Sequence, residues 1–479
     1  MNKNEHILSI NRFDKKKSTY LYHQAILSDS FTLIIIDTII ISLALIIGNS
    51  FLYHINNIPF SITNGWLIIP VWIVFSIFSG ILPCWGVGIV DELKKIQKTL
   101  FFMFAFILII SFLSKIELSS SRIVFLITYF ISSFFIPIGR LYIKKYRSSL
   151  GSWGVPVSIY GNQEDSQEFI ELLNEDLSLG YKPSSIFLDD KEKDFINNVP
   201  VEGNLENIDN KSPVAIILQG SISNKKYLQI IDGPASCYHR VVIIPEIISL
   251  GSLWVSPIDF QGTLGLEVTK NLLDPASKLM KIFLDYFFII FLIPIWMPLV
   301  LILYLLIWLE DFNNPLFLQE RVGINGKTFK TIKFRTMVPN AELVLEQALA
   351  SNKFLNDEWK QSYKLKKDPR ITKIGRFLRV SSLDEIPQLF NVLFGNMSIV
   401  GPRPLPIYHY NDLPKYVQNL RVQVKPGITG MWQVSGRSES GTYGMKKWDP
   451  YYVRNWSVWL DIVIIFRTVK AVFSKKGAY

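Results

Sequence analysis

Charge is scarce in this chain: Asp, Glu, Lys and Arg make up 19% of 479 residues against 49% hydrophobic, and the mean hydropathy is +0.25. That shortage argues against an ordinary soluble protein and for membrane segments carrying water-soluble parts. Cysteine is scarcer still. Cys84 and Cys237 stand far apart, which leaves no disulfide framework and no C-x-x-C metal site. The histidines, His6, His23, His54, His239 and His409, lack H-x-x-x-H or H-x-E spacing, so zinc chemistry is not expected. Glycine is missing where a dinucleotide would need it: Gly161 ends an apolar strand but is followed by Asn162, Gln163 and Glu164, so no G-x-G-x-x-G lets backbone approach a pyrophosphate. No D-x-D occurs, which disfavours a metal-dependent glycosyltransferase.

What is present begins with apolar runs near Phe31–Ile47, Trp66–Leu82, Leu100–Leu113 and Ile123–Ile138, each close to a bilayer crossing. They read as four transmembrane helices. Lys3, Arg12, Lys15, Lys16 and Lys17 precede the first, Lys94, Lys95 and Lys98 lie between the second and third, and Arg140, Lys144, Lys145 and Arg147 follow the fourth; His54 to Gly65 carries no Lys or Arg. The positive-inside rule then puts the N-terminus and everything after Arg147 in the cytoplasm. A polar stretch of about thirty residues before the first run is unlike a cleavable signal. The net charge of +10 suits anionic headgroups or phosphate-bearing substrates, and the membrane segments favour these over nucleic acid.

From Val155 the pattern alternates. Strands are expected at V-P-V-S-I-Y-G, Ser185–Leu188, Val214–Leu218 and Val241–Ile244, with a helix at Ser166–Asn174, as in a small Rossmann-like α/β unit. Without the glycine fingerprint its expected role is structural or regulatory. The apolar stretch Phe283–Leu309 is long enough to cross a bilayer, but Pro294 and Pro298 near its middle remove helix donors and force a kink. A fifth crossing and a bent helix that returns to its own side are both open at this point.

Motifs crowd the remainder: K-F-R-T-M at Lys333–Met337, after two strand-like runs joined by Asn325-Gly326, then D-P-R-I-T at Asp368–Thr372 and G-R-F-L-R at Gly375–Arg379. S-S-L-D-E-I-P-Q-L-F-N at Ser381–Asn391, G-P-R-P at Gly401–Pro404, K-P-G-I-T-G-M-W-Q-V-S-G-R at Lys425–Arg437 and Asp449 in D-P-Y-Y follow. The side-by-side Asp384 and Glu385 have a bland explanation, since Ser382 and Glu385 fit a capping box at a helix start. They also have a chemical one. Arg376, Arg379 and Arg403 supply planar donors for phosphate oxygens and Lys333 a point charge, an arrangement suited to phosphoryl transfer.

In this order the motifs closely resemble the bacterial polyprenyl-phosphate hexose-1-phosphate transferases, and the layout resembles the large form of that family. The resemblance implies a membrane protein of α plus α/β class. Residues 1–149 would form a four-helix transmembrane bundle, 150–270 a Rossmann-like cytoplasmic domain, and 271–479 a mainly helical monotopic catalytic domain whose re-entrant helix covers about 283–309. It implies Asp384 as nucleophile, Glu385 as Mg2+ ligand, Arg379 and Arg403 as phosphate-handling residues, and Lys333, Arg335, Arg376 and Asp449 as further site residues, with the membrane helix broken near Pro294 and Pro298. The implied reaction moves a sugar 1-phosphate from a UDP-sugar to undecaprenyl phosphate in the bacterial cytoplasmic membrane, releasing UMP. Likeness to the galactose enzymes points to UDP-galactose, and the middle domain is a place for a homodimer contact. A membrane-bound nucleotide-sugar dehydratase and a non-enzymatic assembly scaffold are the rival readings.

Overall fold

A computed structural model describes residues 15–56, 65–114, 122–189, 194–209, 211–220, 222, 224–245, 255–260, 263–268, 275–351, 355, 365, 368–435 and 441–473. The chain forms two compact units, Met1–Ser249 and Leu250–Tyr479.

The first unit opens with helices α1 (Lys15–Asn56), α2 (Ile68–Phe78), α3 (Ile89–Ser114) and α4 (Arg122–Ser149), one on each expected apolar run. Within α1 and α4, Ser18–His54 and Ile123–Ser149 are long and apolar enough to cross a membrane. The second run is shorter as a helix than as a sequence. Its 11 residues rise about 16 Å, roughly half a hydrocarbon core, because the chain turns at Gly80, whose φ of +62 suits a residue without Cβ. In α3 only the C-terminal half is apolar, its first turns carrying Asp91, Glu92, Lys94, Lys95 and Lys98.

Buried charge ties these helices together. Arg140 and Asp37, neither exposed, pair between α4 and α1, and the Trp72 indole of α2 donates to Asp37 at 3.0 Å. A second knot lies nearer the helix ends. Asp29 of α1 accepts from the Trp85 indole at 2.9 Å and the Gly154 N–H at 2.8 Å, and pairs with Arg147 of α4 at 2.9 Å.

Gly154 leads into β1 (Val155–Gly161), followed by α5 (Gln163–Glu175), β2 (Tyr181–Leu188), β3 (Phe195–Ile196), β4 (Val199–Asn204), β5 (Val214–Leu218), α6 (Asn224–Asp232) and β6 (Arg240–Ile244). The strands form a sheet in the order β3-β4-β2-β1-β5-β6, parallel except for the β3–β4 hairpin. Fully buried runs such as V-A-I-I-L of β5 reflect coverage on both faces. At the mouth of β1 the side chain of Asn162 caps α5, and Glu164 and Asp165 occupy its first turn, so acids stand where a pyrophosphate would need amide donors.

The second unit contains the hairpin β7 (Val255–Phe260) and β8 (Thr263–Val268), then α7 (Pro275–Phe291) and α8 (Ile293–Asp311). These two helices are the expected bent segment. Their break falls at Leu292, two residues before Pro294, which lies in the first turn of α8 where a missing N–H costs nothing, while Pro298 is tolerated inside it. Across the break the Trp296 indole donates to the Ile289 carbonyl at 3.1 Å. One face of α8, Trp296, Val300, Leu303 and Ile307, packs into a core with Phe334, Leu378, Val392 and Met397, while Ile295, Leu301, Ile302 and Leu305 stay exposed. Ile293–Asp311 is also long and apolar enough to cross a membrane.

Next come β9 (Leu316–Val322), β10 (Thr328–Phe334), α9 (Ala341–Ser351), α10 (Lys373–Ser381), α11 (Gln388–Leu393), β11 (Ser398–Val400), α12 (Ile407–Asn411), α13 (Lys415–Arg421), β12 (Gly427–Thr429), α14 (Met431–Ser435), α15 (Gly441–Asn455) and α16 (Val458–Phe473). The expected Asn325-Gly326 turn joins antiparallel β9 and β10, with φ of +56 and +74 at the two residues. Helix α9 ends at Ser351, and most of residues 352–364, like Arg437, lie outside the described residues.

Candidate active site

Four short segments converge around the Asp384-Glu385 pair. The first is β10, which carries Lys333. Its backbone is clipped to α11 by buried Asn391, whose carboxamide accepts from the Ile332 N–H at 2.9 Å and donates to the Lys330 carbonyl at 2.8 Å. The second is α10. Thr372 caps it by accepting from the Gly375 N–H at 2.9 Å, and Gly375 lies so close to the end of β10 that a Cβ would come within 2.1 Å of the Thr336 carbonyl. This approach sets Arg379 one turn later, with its Nε donating to Thr336 Oγ1 at 2.9 Å and its charge acting on Asp384.

The third segment corrects an expectation. Ser382 forms no capping box. It terminates α10 in the left-handed conformation, φ +57, with no cap hydrogen bond from its side chain, and Leu383–Glu385 is a separate 3-10 turn before α11. Glu385 cannot reach back to a cap because it is held elsewhere. Lys333 Nζ lies 2.6 Å from its Oε1, Arg403 Nη2 lies 2.7 Å from the same oxygen, and Arg403 Nη1 lies 3.3 Å from Oε2. Burial works to raise the Glu385 pKa, but the charges of Arg403 and Lys333 outweigh it and bring it down to about 2.

Asp384 is different. Among the described residues it has no hydrogen-bond or ion-pair partner. Burial and then the adjacent Glu385 charge raise its pKa, against the opposing pull of Lys333, Arg379 and Arg403. A 3-10 turn separates successive side chains by about 120 degrees, so the two carboxylates point into different surroundings.

The fourth segment is the loop after β11. Gly401 N–H donates to Thr429 at 2.8 Å and Gly427 N–H to Pro402 at 3.0 Å, fixing the loop against parallel strand β12. Arg403 follows, its own carbonyl gripped by the guanidinium of Arg421. Arg421 in turn pairs with buried Asp449 of α15, whose pKa burial raises to about 6 despite that partner. Asp449 therefore reaches the site through Arg421 and the Arg403 backbone.

Other expected residues are more peripheral. Arg335 pairs with Asp311 at the end of α8, and Arg376 is exposed on α10, its side chain without a hydrogen-bond or ion-pair partner among the described residues. Arg421 and Asn391 carry structural roles that sequence reasoning did not assign. Arg421 in N-L-R-V reads as ordinary helix surface, and Asn391, although it closes the S-S-L-D-E-I-P-Q-L-F-N motif, carries no sign there of the strand it holds.

No group of three or more His, Cys, Asp or Glu side chains is placed to hold a metal among the described residues. The donor set still fits Mg2+, an ion usually bound by one or two carboxylates plus waters and substrate phosphates. Glu385 is such a carboxylate, with Asp384 next to it in the same turn.

Residues 276–475 match the bacterial sugar transferase family, and residues 85–211 match a family described as a CoA-binding domain. Over 427 residues the chain is 32% identical to the UDP-galactose-lipid carrier transferase of Erwinia amylovora, covering 87% of this chain and 86% of that one. It is 32% identical over 424 residues to the undecaprenyl-phosphate galactose phosphotransferase of Salmonella typhimurium, with 87% and 86% covered. Against the UDP-glucose:undecaprenyl-phosphate glucose-1-phosphate transferase of Escherichia coli it is 32% identical over 340 residues, 67% of this chain and 68% of the other.

Proposed function

From the premise that this chain belongs to the bacterial sugar transferases and is a phosphoglycosyl transferase, we propose that it moves galactose 1-phosphate from UDP-galactose to undecaprenyl phosphate, releasing UMP and starting a polysaccharide on a diphospholipid. The observation that carries the reading is the contrast within one turn: Glu385 is doubly paired with cations, and Asp384 is unpaired beside them. Galactose rests on the names of two relatives, each matched over 87% of the chain; the glucose-transferring relative makes UDP-glucose the alternative to screen.

In the first step a carboxylate oxygen of Asp384 attacks the β-phosphorus of the UDP-sugar. A bond forms from that oxygen to phosphorus, and the bond from phosphorus to the bridging oxygen breaks, its electron pair leaving on UMP. In the second step an oxygen of the lipid phosphate attacks the same phosphorus and the Asp384 carboxylate departs. Arg403, Arg379 and Lys333 hold phosphate oxygens and offset charge that builds as UMP leaves. Mg2+, held by Glu385 with the substrate phosphates, would supply further neutralisation of the diphosphate.

A re-entrant path for α7 and α8 agrees with contacts at both their ends. Lys281 of α7 pairs with Asp461 at 2.6 Å and Tyr286 donates to the Leu393 carbonyl at 3.2 Å, while Asp311 of α8 pairs with Arg335 and Glu310 accepts from the Ile374 N–H at 3.5 Å. A crossing helix would carry one end away by about 30 Å. Both arms meeting one body supports a segment that dips into the cytoplasmic leaflet and returns, leaving the site beside cytoplasmic nucleotide sugar and lipid phosphate. The N-terminal helices would anchor the chain in the bacterial cytoplasmic membrane, with the parallel-sheet region as a Rossmann-like cytoplasmic module.

The test is to incubate full-length protein with sugar-labelled UDP-sugars without lipid acceptor. We expect UMP release and a labelled adduct on the peptide containing Asp384, both lost in Asp384→Asn. Full activity with acceptor but no adduct would overturn the two-step mechanism, and no UMP from any UDP-sugar would overturn the reaction.

A further inference from the structure

β9 brings to the site a cation that the motifs did not announce. Antiparallel register pairs Phe317 with Lys333 and Arg321 with Phe329, and residues two apart on a strand share a face, so Arg321 projects on the same face of the hairpin as Lys333. The next residue stitches this strand to the Arg403 loop, since the Val322 N–H donates to the Leu405 carbonyl at 2.9 Å. Arg321 is half-buried, and its Nη2 donates to the Gln319 side-chain oxygen. Among the described residues it has no carboxylate partner. Burial, then repulsion from Arg403, lowers its pKa, as expected of two guanidinium groups sharing a partly desolvated space.

The charge balance is one-sided. Lys333, Arg403, Arg379 and Arg321 face Asp384 and Glu385, leaving a surplus of two positive charges. Glu385 already engages Lys333 and Arg403, whereas among the described residues neither Arg379 nor Arg321 is paired with a carboxylate, and of these two Arg321 is the one that feels the charge of Arg403. Paired arginines recognise phosphate oxygens through planar, forked donors.

We propose that Arg321 and Arg403 form a two-guanidinium subsite for a phosphomonoester dianion. In the reaction proposed above, on which this inference rests, two species carry that group: UMP as it departs and polyprenyl phosphate as it enters. The alternation of the two half-reactions lets one subsite serve both in turn.

The experiment measures binding of UMP and of uridine to the full-length protein in detergent, and the KM for undecaprenyl phosphate, in wild type, Arg321→Gln and Arg321→Lys. Arg321→Gln is expected to weaken UMP binding at least tenfold, or raise the lipid-phosphate KM as much, with uridine binding unchanged; which of the two moves identifies the occupant. Arg321→Lys should recover part of the loss. If Arg321 only braces Gln319, Arg321→Gln lowers the thermal unfolding midpoint while both phosphate readouts stay within twofold, and the subsite is overturned. A wild-type protein that binds neither UMP nor the lipid phosphate overturns the functional reading and this one together.

Discussion

Asp384 and Glu385 are chain neighbours on one 3-10 turn, yet Glu385 is clasped by Lys333 at 2.6 Å and Arg403 at 2.7 Å while Asp384 is left unpaired. The environment pushes their pKa values in opposite directions. A pair separated in this way divides labour: one carboxylate is fixed as a permanent anion, and the other is the more basic and the better placed to attack.

The first prediction is a pH profile. Attack requires ionised Asp384, and burial with the Glu385 charge raises its pKa, so the acid limb of acceptor-free UMP release should lie above the ordinary aspartate value of about 3.9. A burst assay across acidic pH measures it. A limb at or below the ordinary value would contradict the assigned environment.

Lys333→Met should reduce both activity and acid sensitivity. The Glu385 pKa of about 2 lies below the ordinary glutamate value of 4.5, so its pairing contributes stability present above about 4.5 and lost as pH falls toward 2. That contribution is on the order of 3 kcal/mol at most. With one cation removed, the unfolding midpoint should be lower at neutral pH and fall less on acidification. Parallel profiles for wild type and variant would count against the pairing.

Asn391→Leu keeps similar volume but strips the partners from the Ile332 N–H and Lys330 carbonyl. Each orphaned group costs about 1–3 kcal/mol. The expected result is a lower thermal midpoint together with slower UMP release, because Lys333 is on the strand that the carboxamide holds. Unchanged turnover would detach the clip from the site.

Gly375→Ala sets two effects against each other. Alanine gains about 1 kcal/mol of helix propensity over glycine, but its Cβ would lie 2.1 Å from the Thr336 carbonyl. Backbone cannot yield as a flexible side chain can, so the overlap should dominate, displacing α10 and Arg379. A variant as stable and active as wild type would refute that close approach.

These cases mark what the sequence discloses. The D-E pair, Lys333 and Arg403 were legible because their chemistry is compressed into short contiguous motifs, and the Asn325-Gly326 turn because its backbone demand is local. The αL conformation of Ser382 was hidden: S-x-x-E also fits a cap, and only the competing grip of Lys333 and Arg403 on Glu385 decides against it. Asp449 was visible as a residue but not as a partner, since Arg421 lies 28 positions away. The helix break expected near Pro294 and Pro298 falls at Leu292, just ahead of Pro294, because a proline is comfortable in the turn that begins a new helix.

The Asp29 knot has a consequence for measurement. One buried carboxylate joins α1, the segment at Trp85, the end of α4 at Arg147 and the backbone entering β1. A domain on a slack tether would sweep a cone and report only its own tumbling. Here rocking of the sheet against the helices must first part the Gly154–Asp29 hydrogen bond, on a side chain that Trp85 and Arg147 already hold in place, so an orientation probe fixed to β1 or β2 doubles as an inclinometer for the helices beneath it.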